Sequence, residues 1–391
     1  MGLIPCPRHD ARRPSPSPLL VALLIACGGS ALLAEGPRLR DTLHDHKNRV
    51  TYIVFSSDGK ALASTSADFT TILWDLESGK NSLIRQITYP GASFSADGKA
   101  FVLPSATRDP QRLYDVENHK STPLAKLRAM TIVAFGPDGR TEVLARGPND
   151  VEMRRLARAY DPASEQSTIR LEGARVQTLT PTATFSADGQ TLAVRDKDQN
   201  LMLWDVTAGK IIGTLSQTAG LWYVFSPDGK RLAAACATKP NLQTVGGNFR
   251  SLGVKLFDVK KAATIATLEE GLNDQISFAA FSSDRATLVS AGVFIISIHN
   301  MIDGRKRATL EKPLQAINPH IALSPHGTLV AANCGDGTVK LWDVATRKIT
   351  ASLKGPTSLP VFSPDGKTLA FGCADGSIQL WDIDEPSDVP H

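Results

Sequence analysis

His44 and His46 stand two residues apart, a spacing that puts both imidazoles on one face of a strand and offers a pair of metal ligands. No third ligand is close in sequence, so the pair alone does not make a metal site. Asp196, Asp198 and Asn200 are spaced like the opening of a calcium loop. The glycine due at the sixth position and the glutamate due at the twelfth are missing, and the segment reads as a turn. Gly366-Lys367-Thr368 imitates the end of a phosphate loop, but Val361 stands where the earlier glycine is required, so this too reads as a hairpin. No Gly-x-Ser-x-Gly elbow, His-Glu-x-x-His helix or dinucleotide fingerprint occurs, and the eight histidines are scattered. The residues therefore offer no catalytic site, no cofactor site and no metal site. The expectation is a protein that binds rather than reacts.

Composition narrows the classes further. The chain has 391 residues, 42% of them apolar and 21% charged, enough for a large core. A formal charge of +4 is too small for a global field that collects nucleic acid, so no nucleic-acid partner is expected. Five cysteines at 6, 27, 236, 334 and 373 include no Cys-x-x-Cys pair, which excludes a zinc ribbon and a small disulfide scaffold.

Residues 1–34 read as an address. Arg8, Arg12 and Arg13 precede the uncharged run Leu19 to Ala34, too short for a spanning helix and suited to an export signal. Two processing routes are open: a lipobox ending at Cys27, which would carry lipid, or ordinary cleavage near Gly29, Ala31 or Ala34. An uncleaved signal anchor is the third option. Membrane contact is expected only through that anchor or a lipidated Cys27. The expected location is the periplasm or cell envelope.

Internal repetition organises the rest. Phe-Ser-x-Asp-Gly-Lys or a relative begins at Phe55, Phe94, Phe135, Phe185, Phe225, Phe281, Leu323 and Phe362. A second phrase, Leu-Trp-Asp or a relative, follows each, anchored at Trp74, Tyr114, Tyr160, Trp204, Phe257, Asn300, Trp342 and Trp381. Asp-Gly between apolar runs is a hairpin signal in which both turn residues accept positive φ. Each unit then reads as four short antiparallel strands, which cannot bury both faces alone and must stack on neighbours.

The repeat resembles the WD40 family, over about residues 37–384, with residues 385–391 left as a short tail. The resemblance implies an all-β, eight-bladed β-propeller, or seven blades should unit 3 or unit 6 fail to form. Residues 39–43 are expected to supply the fourth strand of the last blade and close the ring. It also implies a buried Trp–Ser–Asp–His network, which unit 1 matches with His46, Ser66, Asp68 and Trp74. Asp198, Asp336 and Asp375 lie six residues before Trp204, Trp342 and Trp381, as Asp68 does before Trp74. Cys236, Cys334 and Cys373 share the register of Ser66 and read as small buried residues without disulfides.

Two insertions stand out: Thr238–Ser251 in unit 5 and a shorter one around Gly147–Arg155 in unit 3. Both are expected between the second and third strands, on the rim where partners dock in the resembled family. Lys239, Asn241, Asn248, Phe249 and Arg250 are the candidate contacts there. Trp222 and Tyr52, three residues before their anchors, either ring the channel mouth or pack between blades. The expected function is a non-enzymatic scaffold for an unidentified protein or peptide, with binding of a small molecule or glycan in the channel as the alternative and a hydrolase or lyase, which would need clustered acids that the sequence does not offer, as the third reading.

Overall fold

The computed structural model describes residues 36–85, 93–94, 100–103, 112–116, 120–123, 131–146, 148–157, 165–175, 183–216, 218, 222–236, 253–269, 278–292, 295–301, 306–311, 321–355 and 358–383. The first turn of each unit follows from its residue types. Ser56 Oγ donates to Asp58 Oδ1 (2.6 Å) and accepts the Ala61 amide (2.9 Å), while Asp58 Oδ1 accepts the Lys60 amide (3.0 Å). The Gly59 amide donates to the Ser56 carbonyl, and Gly59 lies at φ 72°. Only the glycine of the Asp-Gly pair is at positive φ. The expected two-residue turn is instead an i-to-i+3 turn closed by a left-handed glycine, because the serine bracket holds the aspartate in the ordinary region. The bracket recurs at Ser186–Asp188, Ser226–Asp228, Ser282–Asp284 and Ser363–Asp365.

Each turn opens a meander. Among the described residues, the strands form eight four-stranded antiparallel sheets. Sheet I is Val50–Phe55, Ala61–Ser66, Thr70–Asp75 and Asn81–Arg85. Sheet II is Ser93–Phe94, Ala100–Leu103, Arg112–Asp115 and Lys120–Pro123; sheet III is Thr131–Phe135, Thr141–Ala145, Val151–Leu156 and Glu165–Arg170. Sheet IV is Ala183–Phe185, Thr191–Arg195, Leu201–Asp205 and Lys210–Leu215; sheet V is Tyr223–Phe225, Arg231–Cys236, Gly253–Asp258 and Ala263–Glu269. Sheet VI is Phe278–Phe281, Thr287–Ala291, Ile295–Asn300 and Lys306–Glu311; sheet VII is Ile321–Leu323, Leu329–Asn333, Thr338–Asp343 and Ile349–Lys354. Sheet VIII has Val361–Phe362, Thr368–Gly372 and Ser377–Asp382, and its fourth strand is Arg38–His44 from the other end of the chain.

Alternation along the middle strands puts apolar side chains on both faces of the sheets, and among the described residues the core lies between consecutive sheets. Leu62, Ile72 and Trp74 of sheet I pack with Ala370, Ile378 and Leu380 of sheet VIII, while Ala63 and Leu73 pack with Tyr114 of sheet II. Sheets III and IV share Val143, Met153, Leu192 and Trp204; sheets IV and V share Leu203, Leu232 and Phe257. The series continues with Leu256 against Leu288, Ile298 against Val330, and Leu341 against Phe371.

Register corrects two of the anchors. In sheet I, Leu62 pairs with Trp74. The matching pair in sheet III is Glu142 with Arg154, so Arg154 holds the tryptophan position. Tyr160 lies outside the described residues, and the extra residues of unit 3 fall after its third strand, not around Gly147–Arg155. An aromatic was expected at the anchor, but here an ion pair fills the place of an apolar pair. In sheet VI, Leu288 pairs with His299, which puts His299 in the tryptophan position and Asn300 in that of Asp75. The turn before that strand is one residue shorter than the repeat spacing implies.

Candidate functional site

Trp74 has only an N–H to offer and opens a buried relay as its donor. Its Nε1 donates to Ser64 Oγ (2.8 Å), and Ser64 Oγ lies 2.8 Å from His46 Nε2. Asp68 Oδ2, 3.3 Å from His46 Nδ1, can only accept, so in the neutral ring Nδ1 carries the proton and Nε2 accepts from the Ser64 hydroxyl. Nδ1 faces Thr70 Oγ1 (3.0 Å) and Asp68 Oδ2 (3.3 Å), and Thr70 Oγ1 donates to Asp68 Oδ1 (2.5 Å). Burial pulls the His46 pKa below its ordinary value against the pull of Asp68. The Asp68 carboxyl is held below the usual range: burial opposes this, and the Thr70 hydroxyl and the Lys47 and Thr70 amides outweigh it.

The hydroxyl in this relay is Ser64, not Ser66. Both lie on one face of the second strand, but Trp74 pairs opposite Leu62, so Ser64 is its diagonal neighbour and Ser66 is one further repeat away. Ser66 instead donates to the Asn48 carbonyl (2.8 Å) and accepts the Asp68 amide (3.1 Å), tying the second turn to the segment before sheet I. His44 is exposed on the strand paired with Ser377, whereas His46 is buried and committed to the relay. Among the described residues, no group of three potential ligands could hold a metal.

Elsewhere the relay is broken into parts. Ser290 Oγ lies 3.1 Å from His299 Nε2, so sheet VI keeps the serine and puts an imidazole where sheet I has indole. Val194 takes the serine place in sheet IV, and Trp204 Nε1 is buried without a partner. Trp381 turns to Gln379 Oε1 (3.0 Å), because Phe371 fills the place of the serine. Asp336 and Asp375 act within their turns, accepting from Thr338 Oγ1 (2.5 Å) and Ser377 Oγ (2.6 Å). Asp198 does not; it meets Lys197, while Asp196 accepts the Asn200 amide. Trp342 is buried against sheet VI. Cys236, Cys334 and Cys373 are buried and form no disulfide.

These turns between second and third strands form one end of each sheet. Gly337 and Gly376 sit there at φ 82° and 90°, a left-handed conformation in which glycine is relaxed. Phe69 holds the same turn position in sheet I at φ 65° and is 63% exposed. A bulky L-residue in this region costs about 1–2 kcal/mol. The sequence does carry the signal: Ala-Asp-Phe-Thr stands where other units read Gly-Asp-Gly-Thr and Ala-Asp-Gly-Ser. Lys239, Asn241, Asn248, Phe249 and Arg250 lie outside the described residues, in the segment joining the second and third strands of sheet V. Tyr52 and Trp222 pack as half-buried side chains between sheets, and burial raises the Tyr52 phenol pKa.

A series of four-stranded antiparallel units, joined by apolar faces and ending in turns capped by aspartate, defines a class: an all-β repeat scaffold. The family model described as WD domain, G-beta repeat matches residues 37–75, 311–343 and 347–382. In these three segments the chain is similar to WD40 repeats. The first matched segment begins with Arg38–His44, the fourth strand of sheet VIII, so the sequence repeat is offset by one strand from the sheet it builds. A search of curated proteins returned no match to the chain.

Proposed function

We propose that this protein is an exported, non-enzymatic interaction scaffold whose partner docks on the end of the sheets formed by the second-to-third-strand turns. Residues 37–384 form one eight-bladed propeller closed by Arg38–His44, residues 1–34 direct export, with Cys27 as a lipid site if the lipobox is used, and 385–391 are a tail. The observation that carries the reading is Phe69. Glycine serves at this position in two other sheets and Gln199 takes the same conformation in sheet IV, whereas sheet I holds a large apolar ring there, 63% exposed, and such strain concentrates where a side chain has work beyond folding. The segment Thr238–Ser251 joins the second and third strands of sheet V in the chain, and its Lys239, Asn241, Asn248, Phe249 and Arg250 are offered as further contacts. WD40 repeats fit a protein or peptide partner.

The test compares the tagged protein with Phe69→Gly and with a variant whose 238–251 segment is shortened to a tight turn. Each is used for affinity capture from the envelope fraction. A protein captured by the wild type and lost with Phe69→Gly, at unchanged or raised thermal stability, is the expected result. Equal capture by all three removes this surface as the site.

A further inference from the structure

At the opposite end of the sheets, where the Phe-Ser-x-Asp-Gly hairpins lie, one unit breaks the pattern. Gly59, Gly139, Gly189, Gly229, Gly327 and Gly366 all take positive φ in their hairpins; in sheet VI the residue is Arg285, at φ 68°. The glycines also let consecutive hairpins approach. A Cβ on Gly327 would come within 2.6 Å of the Ser282 side chain, and one on Gly189 or Gly229 within about 3 Å of the hairpin before it. Arg285 carries the Cβ that the others lack, so the hairpins of sheets V and VI cannot close up in the same way. Between them lies a cleft of about 550 Å³.

The cleft joins an apolar floor to a basic wall. Phe281, Ala286 and Met301 make the floor. Arg231 Nη1 donates to the Met301 carbonyl (2.7 Å), which holds its guanidinium across the gap from sheet V to sheet VI. Lys230 is exposed beside it, and Arg285 reaches Asp228 Oδ2 at 3.4 Å with its side chain 58% exposed. Two carboxylates also line the cleft, but their Oδ1 atoms are occupied. Asp228 accepts from Ser226 Oγ and the Lys230 amide, and Asp284 from Ser282 Oγ and the Ala286 amide. Three cations against two carboxylates leave one uncompensated positive charge over an apolar surface.

We propose that this cleft binds a single carboxylate carried on an apolar body, with the carboxylate between Lys230 and Arg285 and the body on Phe281 and Met301. A monoanion matches the one surplus charge, whereas a dianion would meet Asp228 and Asp284 uncompensated. The arginine fork suits the planar carboxylate, and the left-handed backbone at 285, otherwise a destabilising choice, is what presents that fork. The site is separate from the surface around Phe69 and does not depend on it.

Calorimetric titration of the full chain with N-acetylphenylalanine, and with its amide as the uncharged control, tests this. Binding of the acid at millimolar concentration is expected, with none of the amide. Arg285→Gly, which relaxes the turn, and Lys230→Ala are each expected to weaken the acid by about tenfold, the loss of one charged hydrogen bond. A peptide ending in phenylalanine, with a free or amidated terminus, separates the sources. Tight binding of the free-ended peptide assigns the site to chain termini, and binding of the small acid alone assigns it to organic acids. No binding of the acid, equal binding of the amide, or unchanged affinity in both variants overturns the proposal.

Discussion

The relay in sheet I shows how much one hydroxyl decides. Ser64 Oγ serves the Trp74 N–H and His46 Nε2 at once, so Ser64→Ala leaves two buried groups without their partner. The expected cost is about 2 kcal/mol or more, against roughly 1 kcal/mol for Ser66→Ala, read from urea unfolding midpoints. Equal costs would show that the relay does not run through Ser64. The same chain of donors sets a pH dependence. Burial disfavours the His46 imidazolium and outweighs the opposing pull of Asp68, so its folded pKa is lowered. Its contribution to stability is present above the unfolded value of about 6.5 and is lost as pH falls from there through the folded pKa. Asp68, also lowered, contributes above the ordinary carboxylate value and is lost at more acid pH. Thermal midpoints should fall between about pH 7 and pH 5, and His46→Gln should flatten that slope. An unchanged slope in the variant would assign it to other groups.

At the scale of one element, sheet III carries the largest departure from the repeat. Glu142 and Arg154 fill the positions of Leu62 and Trp74, fully and nearly fully buried, and Arg154 Nε donates to Glu142 Oε1 (2.5 Å). Burial pushes the Glu142 pKa up while Arg154 pulls it down, and Glu142 Oε2 is buried without a partner. A lone buried charge costs far more than a pair, so Arg154→Trp or Glu142→Leu alone should destabilise by about 3–5 kcal/mol. The double substitution restores the apolar pair of sheet I and should come out between neutral and about 4 kcal/mol more stable. A double-mutant cycle in urea measures both; additive losses would mean that the two side chains do not act as a pair.

Across the whole molecule, the strand Arg38–His44 is the sequence-distant partner of Ser377–Asp382, with Leu39 opposite Trp381. Removing residues 1–44 opens that edge and should produce aggregation and a lowered thermal midpoint, whereas removing 1–35 leaves the strand in place and should do neither. Identical behaviour on size exclusion would show that the edge needs no cover. Much of this architecture is legible in the sequence because its signals are local. The serine–aspartate–glycine turn is closed by atoms within six residues, and the phrase repeats in register, so four strands per unit and the partnership of 39–43 with the last unit can be read directly. Ser64 over Ser66, Arg154 over Tyr160 and His299 over Asn300 could not. Each depends on which residue stands opposite on the neighbouring strand, and spacing alone does not determine that register when a turn shortens or an ion pair replaces an aromatic. The strained Phe69 and the cleft beside Arg285 belong to tertiary structure for the same reason. A missing glycine is visible in the chain, but the space that its replacement holds open exists only between two packed sheets.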